Sequence, residues 1–385
     1  MKKIVLSGKG LILGEDALSF LTTQPYKRAL IVTGGSSMER TGVLKRVRHL
    51  LEEAGMQVSL YQGVPMNPSF DDVKKGIMMM HDQPCDVIIG LGGGSAMDCA
   101  KAILLGYEHQ EIPLDELKQA IDQGRIGHRR AIALIEIPST SGTGSEVTRG
   151  CVITDTKAHI KVPLMCDCLR PDYALLDASL PMTMPENIVA QTGMDALTHA
   201  IKAYINHNQD SFDEVLCVGA IVGLCHYLPL SYFEKSIESR RKVHEYQAMA
   251  GIAFANVGLG MVHGIAHAFG AMFNMPHGLT NAIILPYALI YDCQDERIRE
   301  RLDILSYYVQ VPSIIDKIIE LERQMDLPAS FQEAGLKEDM YLEHRDILID
   351  HAMLGATQVN PIPMNRKTIA EMIDLVYYGR SDKDE

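Results

Sequence analysis

Basic side chains are in short supply: 36 Lys and Arg stand against 49 Asp and Glu, a formal charge of -13. A nucleic-acid backbone is repelled over most of such a surface, so no nucleic-acid partner is expected. The eight cysteines (Cys85, Cys99, Cys151, Cys166, Cys168, Cys217, Cys225 and Cys293) are too sparse for a disulfide scaffold, and none forms a C-x-x-C pair. They are read as thiols and the compartment as cytoplasmic. Near the start, Ser7 to Gly10 interrupt the apolar run behind Lys2 and Lys3, so no export signal is read. The longest apolar run, Val215 to Leu230, is shorter than a bilayer span and contains His226 and Pro229. It is read as a buried helix, with no membrane partner. Repeats, low-complexity tracts and long linkers are lacking, and the only charge run, Ser381 to Glu385, reads as a solvated tail.

What is present is the composition of a globular enzyme, 47% apolar and 22% charged. At roughly 150 residues per domain, 385 residues argue for two domains. In the first half, β-branched runs at Ala29 to Val32, Val58 to Tyr61, Val87 to Gly90 and Ala131 to Ile135 alternate with helical spacing such as Val43, Leu44, Val47, Leu50 and Leu51. Near-continuous apolar strands suit a parallel sheet covered on both faces. After Asp172 to Pro181, read as the last strand, the pattern turns to consecutive helices, including Asn187 to Asn206 and Ser211 to Cys225. The expected fold is therefore a Rossmann-like α/β domain over residues 1–183 followed by an all-α domain over 184–385.

Two glycine turns follow apolar strands. In the first, Gly90-Leu91-Gly92-Gly93-Gly94-Ser95 precedes a helical pattern. Glycine lets a backbone approach a pyrophosphate, and the free N–H groups of a first helical turn favour an anion. The second, Pro138 to Glu146, packs five hydroxyls around Gly142 and Gly144 at a strand's carboxyl end, where open α/β sheets bind ligands. Either turn alone is matched by a capped structural turn; together they point to a dinucleotide.

Asp195 and His199 stand at i and i+4, on one helical face. His263 and His267 repeat that spacing, and His277 sits on an expected loop. A carboxylate with several neutral imidazoles suits Fe(II) or Zn(II), which ligand type alone does not separate.

These segments resemble the iron-dependent (group III) alcohol dehydrogenases. The resemblance rests on Gly92 to Lys101, Thr140 to Thr148, Gly193 to His199 and Gly258 to His267, in family order along nearly the whole chain. It implies the dehydroquinate synthase-like, iron-dependent alcohol dehydrogenase fold, with a metal between the two domains. Asp195, His199, His263 and His277 are then the metal ligands and His267 a proton relay of near-neutral pKa. The cofactor groove is assigned Gly34, Ser36, Asn67, Gly93, Gly94, Ser95, Asp98, Thr140, Thr143, Lys161 and Leu180, and the substrate pocket Cys151 and Phe254. Hydride transfer between nicotinamide and a small primary alcohol, diol or aldehyde is the implied reaction, with a homodimer as the default assembly.

Two departures stand out. Many relatives carry an Asp after the strand corresponding to Ile31-Val32-Thr33, where it accepts a ribose hydroxyl; here Gly34-Gly35-Ser36-Ser37 follows. NADP(H) is therefore favoured, with NAD(H) as the alternative. Ala268 stands where Pro is common. The competing readings are a dehydroquinate synthase-like lyase and a nucleotide-binding regulator with a structural metal.

Overall fold

The computed structural model describes residues 4–127 and 131–379. The charged terminus Ser381 to Glu385 and the basic residues Lys2 and Lys3 lie outside the described residues.

Six parallel strands form the first layer: β1 (Gly10–Gly14), β2 (Arg28–Thr33), β3 (Gln57–Gln62), β4 (Val87–Gly92), β5 (Ala133–Pro138) and, later in the chain, β8 (Tyr173–Asp177). Their order is β1-β8-β5-β4-β2-β3, with Val32 beside Gly90 and Ile89 beside Ile135. Helices α1 (Ser37–Arg40), α2 (Val43–Glu53), α3 (Phe70–Asp82), α4 (Gly94–Glu108) and α5 (Leu117–Asp122) belong to this half. Alternate strand residues feed two cores, Leu30, Val32, Ile88 and Leu134 on one face and Ala29, Ile31, Val87 and Ile135 on the other. That two-sided burial explains the near-continuous apolar runs.

β5 starts two residues later than its apolar run. The Ala131 and Ile132 N–H groups donate to Glu108 Oε1, which takes their hydrogen bonds out of the ladder. A hairpin that the sequence reading does not contain, β6 (Gly150–Asp155) with β7 (Ile160–Met165), pairs antiparallel outside the main sheet.

The second half is helical: α6 (Glu186–Ile205), α7 (Ser211–Phe233), α8 (Ile237–Val257), α9 (Met261–Phe273), α10 (His277–Asp292), α11 (Glu296–Val309), α12 (Ile314–Gln324), α13 (Glu338–Ala352) and α14 (Arg366–Tyr378). They share one apolar core built from residues such as Leu197, Leu224, Ile265 and Leu285.

Two expectations need correcting. The helix containing Val215 to Leu230 runs on through Pro229 to 23 residues, long and apolar enough by composition to cross a membrane, and only 44% of its apolar window is buried. Its Cys217, Ala220, Ile221, Leu224 and Leu228 pack inward, while Phe212, Val215 and Phe233 are exposed. Six cysteines are free thiols, but Cys166 and Cys168 are joined. The single turn Asp167–Leu169 brings their Cα atoms to 5.1 Å, a C-x-C bridge that a search for C-x-x-C overlooks.

Candidate active site

The first glycine turn folds as its sequence suggests. β4 ends at Gly92, Gly93 caps α4, and the first turn of α4 points its N–H groups into the groove at the strands' carboxyl ends. A Cβ on Gly94 would lie 2.8 Å from Thr143 Cγ2, and one on Gly93 3.6 Å from Thr140 Oγ1, so the two glycine loops meet face to face. Asn67, in the left-handed region at φ 62°, closes the side of the groove. Its N–H donates to Ser95 Oγ (3.4 Å) and its Nδ2 to Asn274 Oδ1 (2.8 Å) of the helical half.

The second loop is bolted from beneath. Lys101 Nζ, fully buried, donates to Ser145 O (2.5 Å) and Gly150 O (2.9 Å), and Asp98 accepts from Ser145 Oγ and Val152 N, each at 2.8 Å. Asp98, expected against the cofactor, thus fastens the loop. Gly34 and Ser36 follow β2: a Cβ on Gly34 would lie 3.6 Å from Val64 O, nothing lies within 4 Å of one on Gly35, and Ser36 and Ser37 are exposed.

Across the groove, α6 presents Asp195 and His199, α9 presents His263, and α10 opens with His277. The α8 to α9 bend of 105° makes this possible. It turns on Gly258 (φ 102°) and Gly260 (φ 150°), backbone conformations that L side chains rarely adopt. One ligand atom from each of Asp195, His199, His263 and His277 lies within 4.8 Å of the others. His199 stacks on Phe254 (4.4 Å between centroids) and on His263 (4.8 Å).

The donor set fits a divalent cation. Asn281, one turn after His277, aims its Nδ2 at Asp195 Oδ1 (2.6 Å), His263 Nε2 (3.1 Å) and His277 Nε2 (3.1 Å). The two N–H groups of the amide serve at most two of these atoms at a time, and the three converge on one point that a cation would occupy in its place. Burial pushes the His263 and His277 pKa values well below the ordinary range, aided by neighbouring imidazoles for His263 and by Lys161 for His277. Both rings are neutral at pH 7, the state that ligates metal. Sequence reasoning missed Asn281, because His277, expected on a loop, instead opens α10 and only that helix sets the two residues one turn apart.

His267 stacks 5.3 Å from His277 on the partly exposed side of the cluster. Its expected near-neutral pKa needs correcting: burial first, then Lys161, push it down to about 3. Lys161, on β7, reaches towards α9, with Nζ 3.2 Å from where a Gly270 Cβ would stand. Burial brings its ammonium down to about 8, opposed by the carboxylates of Asp98 and Asp195.

The side chains of two expected residues belong to the core clusters of the sheet half. Along β6, Cys151 and Ile153 point into the core while Gly150 and Val152 are partly exposed, so strand alternation turns Cys151 inward at 2% exposure. Leu180 packs into the core beside β8 at 1% exposure.

Residues 8–178 match the family described as iron-containing alcohol dehydrogenase, and residues 189–377 the C-terminal region of the Fe-containing alcohol dehydrogenase family. An NADPH-dependent butanol dehydrogenase of Clostridium saccharobutylicum is 38% identical over 374 residues, covering 95% of this chain and 96% of that protein. A 1-propanol dehydrogenase of Citrobacter freundii is 32% identical over 94% of this chain and 96% of its own length. Among solved structures, an iron-containing alcohol dehydrogenase from Thermococcus thioreducens superposes with a TM-score of 0.89 at 28% identity, covering 98% of this chain and all of that one.

Proposed function

The chain belongs to the iron-containing alcohol dehydrogenase family, and from that premise we propose that it interconverts small primary alcohols or diols with their aldehydes, favouring NADP(H) over NAD(H). It is a nicotinamide-linked, metal-dependent oxidoreductase. The carrying observation is that the Asp195, His199, His263, His277 cluster faces the paired glycine loops, with His199 Nδ1 3.3 Å from Gly142 O.

Asp195, His199, His263 and His277 would hold Fe(II), with Zn(II) as the alternative. Bound at these places, a divalent ion and a nicotinamide supply a Lewis acid and a hydride carrier. The chain's residues supply the rest. Gly93, Gly94 and Ser95 seat the pyrophosphate on the first turn of α4. Thr140, Thr143 and Asn67 fix the dinucleotide along the groove, and Lys161 stands between the groove and the cluster. Phe254, stacked on His199, gives the substrate an apolar wall. His267, beside His277 on the partly exposed side, lines the route by which a proton would pass between the site and solvent.

The NADP(H) preference is supported by the exposed Ser36 and Ser37 and the room at Gly35, and by the NADPH dependence in the name of the butanol dehydrogenase relative. The names of the butanol and propanol relatives support a short-chain substrate. A cytoplasmic homodimer completes the proposal. Edge strand β1 exposes Leu13, and the preceding Leu6 is half exposed, leaving an unpaired ladder that a second copy would cover; light scattering reports the mass. The decisive experiment follows nicotinamide absorbance with a panel of small aldehydes, comparing NADPH with NADH in metal-stripped protein given back Fe(II) or Zn(II). Metal-restored NADPH oxidation is expected. No oxidation with any combination in folded, metal-loaded protein overturns the reading.

A further inference from the structure

The loop carrying Thr140 and Thr143 is gripped from the helical half at three points. Ser141 is fully buried, with Oγ 2.9 Å from Nδ1 of the equally buried His244 on α8. One helical turn on, Gln247 Oε1 accepts from Gly144 N (2.9 Å), and its Nε2 donates to Glu146 Oε1 (2.5 Å). Gly144, at φ 62°, lies so close to α8 that a Cβ would come 2.7 Å from Gly251 Cα. Between these fastenings Gly142 rests on α6, where a Cβ would meet Thr192 Cβ and O at 2.7 Å.

The third point is the Gly142 carbonyl, 3.3 Å from His199 Nδ1. A carbonyl only accepts, so Nδ1 carries the ring proton and Nε2 keeps its lone pair on the side of Asp195. A single peptide of the dinucleotide loop thereby fixes the tautomer and orientation of one ligand in the metal cluster, the part usually taken by an outer hydrogen-bond partner. The grip carries a cost: His244 Nε2 is buried with no partner among the described residues, an arrangement a purely apolar contact would avoid.

We infer that His244 and Gln247 are positioning residues that hold the Gly142 carbonyl on His199, and that they couple dinucleotide binding to metal binding. The inference rests on the proposed function, which places both ligands here. A dinucleotide seated against Thr140 and Thr143 restrains the loop, the restrained loop restrains the His199 ring, and a ring held in the ligating tautomer binds metal more tightly. Linkage requires the reverse effect to have the same size.

The test uses the full, metal-stripped chain. Zn(II) affinity is measured by competition with a chromophoric chelator, with and without saturating NADPH, and NADPH affinity by its fluorescence with and without Zn(II). NADPH is expected to tighten Zn(II) by about 5- to 100-fold, and Zn(II) to tighten NADPH by the same factor. Ser141→Ala removes one hydrogen bond and Gln247→Ala two, neither filling space, and each should bring the factor towards one while thermal melts show a folded protein. His244→Asn, which keeps a polar group for Ser141, should retain part of it. Direct attraction between bound metal and dinucleotide would leave the factor unchanged in these variants, and that result overturns the inference, as does equal Zn(II) affinity with and without NADPH in the unaltered chain. A chain that binds Zn(II) and NADPH independently sinks the inference alone; one that binds no dinucleotide sinks the proposed function with it.

Discussion

Asn281 touches three of the four metal-cluster side chains, yet a lone Asn beside an apolar helical run attracts no notice in the sequence. Each imidazole nitrogen has one lone pair, which either accepts from Asn281 or binds a cation, so Asn281→Ala removes a competitor and should leave Zn(II) affinity, read by chelator competition, undiminished. At Gly34 the sequence was more informative, because the residue type itself carries the argument. Gly34→Asp places a carboxylate beside the exposed Ser36 and Ser37, and one like-charge contact with a 2'-phosphate costs enough to shift preference about tenfold or more. The ratio of kcat/KM for NADPH over NADH should fall accordingly; an unchanged ratio would place the adenosine ribose elsewhere.

Elements decide how far such residues can act. The α8 to α9 bend places His263, and Gly260 sits in it at φ 150° with the site of its missing Cβ 2.6 Å from Asn360 Oδ1. That same Oδ1 accepts from Met261 N at the start of α9. Gly260→Ala should destabilise the fold by about 1–3 kcal/mol and reduce bound iron, measured by calorimetry and metal content. On β5, Glu136 is fully buried with neither oxygen hydrogen-bonded among the described residues, although Lys101 Nζ lies 3.8 Å away. Burial raises its carboxyl to about 8, against the pull of Lys101 and with help from Asp98 and Glu146. The folded chain then holds a proton that the unfolded chain releases from about pH 4.5 upward, so this group's contribution to stability declines as pH rises towards 8. Glu136→Gln should remove that decline: the melting temperature of the variant relative to the unaltered chain rises between pH 5 and pH 8.

For the whole molecule, metal binding acts on stability through mass action. The ligands come from α6, α9 and α10, which meet only in the folded state. A metal at 100 times its Kd adds about 2.7 kcal/mol. Chelation should lower the melting temperature, and readdition of Fe(II) or Zn(II) should restore it; a melt indifferent to both would mean that the cluster holds no ion.

The two-part architecture, the glycine turns and the four residues of the metal cluster were legible because residue type and near-neighbour spacing are local. An i, i+4 pair shares a helix face whatever the helix packs against, and a glycine run between an apolar strand and a helix makes a turn in any fold. Other features depended on long-range contact. The hairpin phase that turns Cys151 inward, the Cys166–Cys168 bridge, the descent of His267 to about 3 and the place of Asn281 follow from what packs around each residue. So does the grip of His244 and Gln247 on a loop about 100 residues earlier, |i−j| being 103 for both contacts. The sequence determined which donors and turns the chain carries, since periodicity and backbone freedom are properties of neighbours. Only the tertiary structure decided which of them meet, since that depends on helix packing and the bend at Gly258 to Gly260.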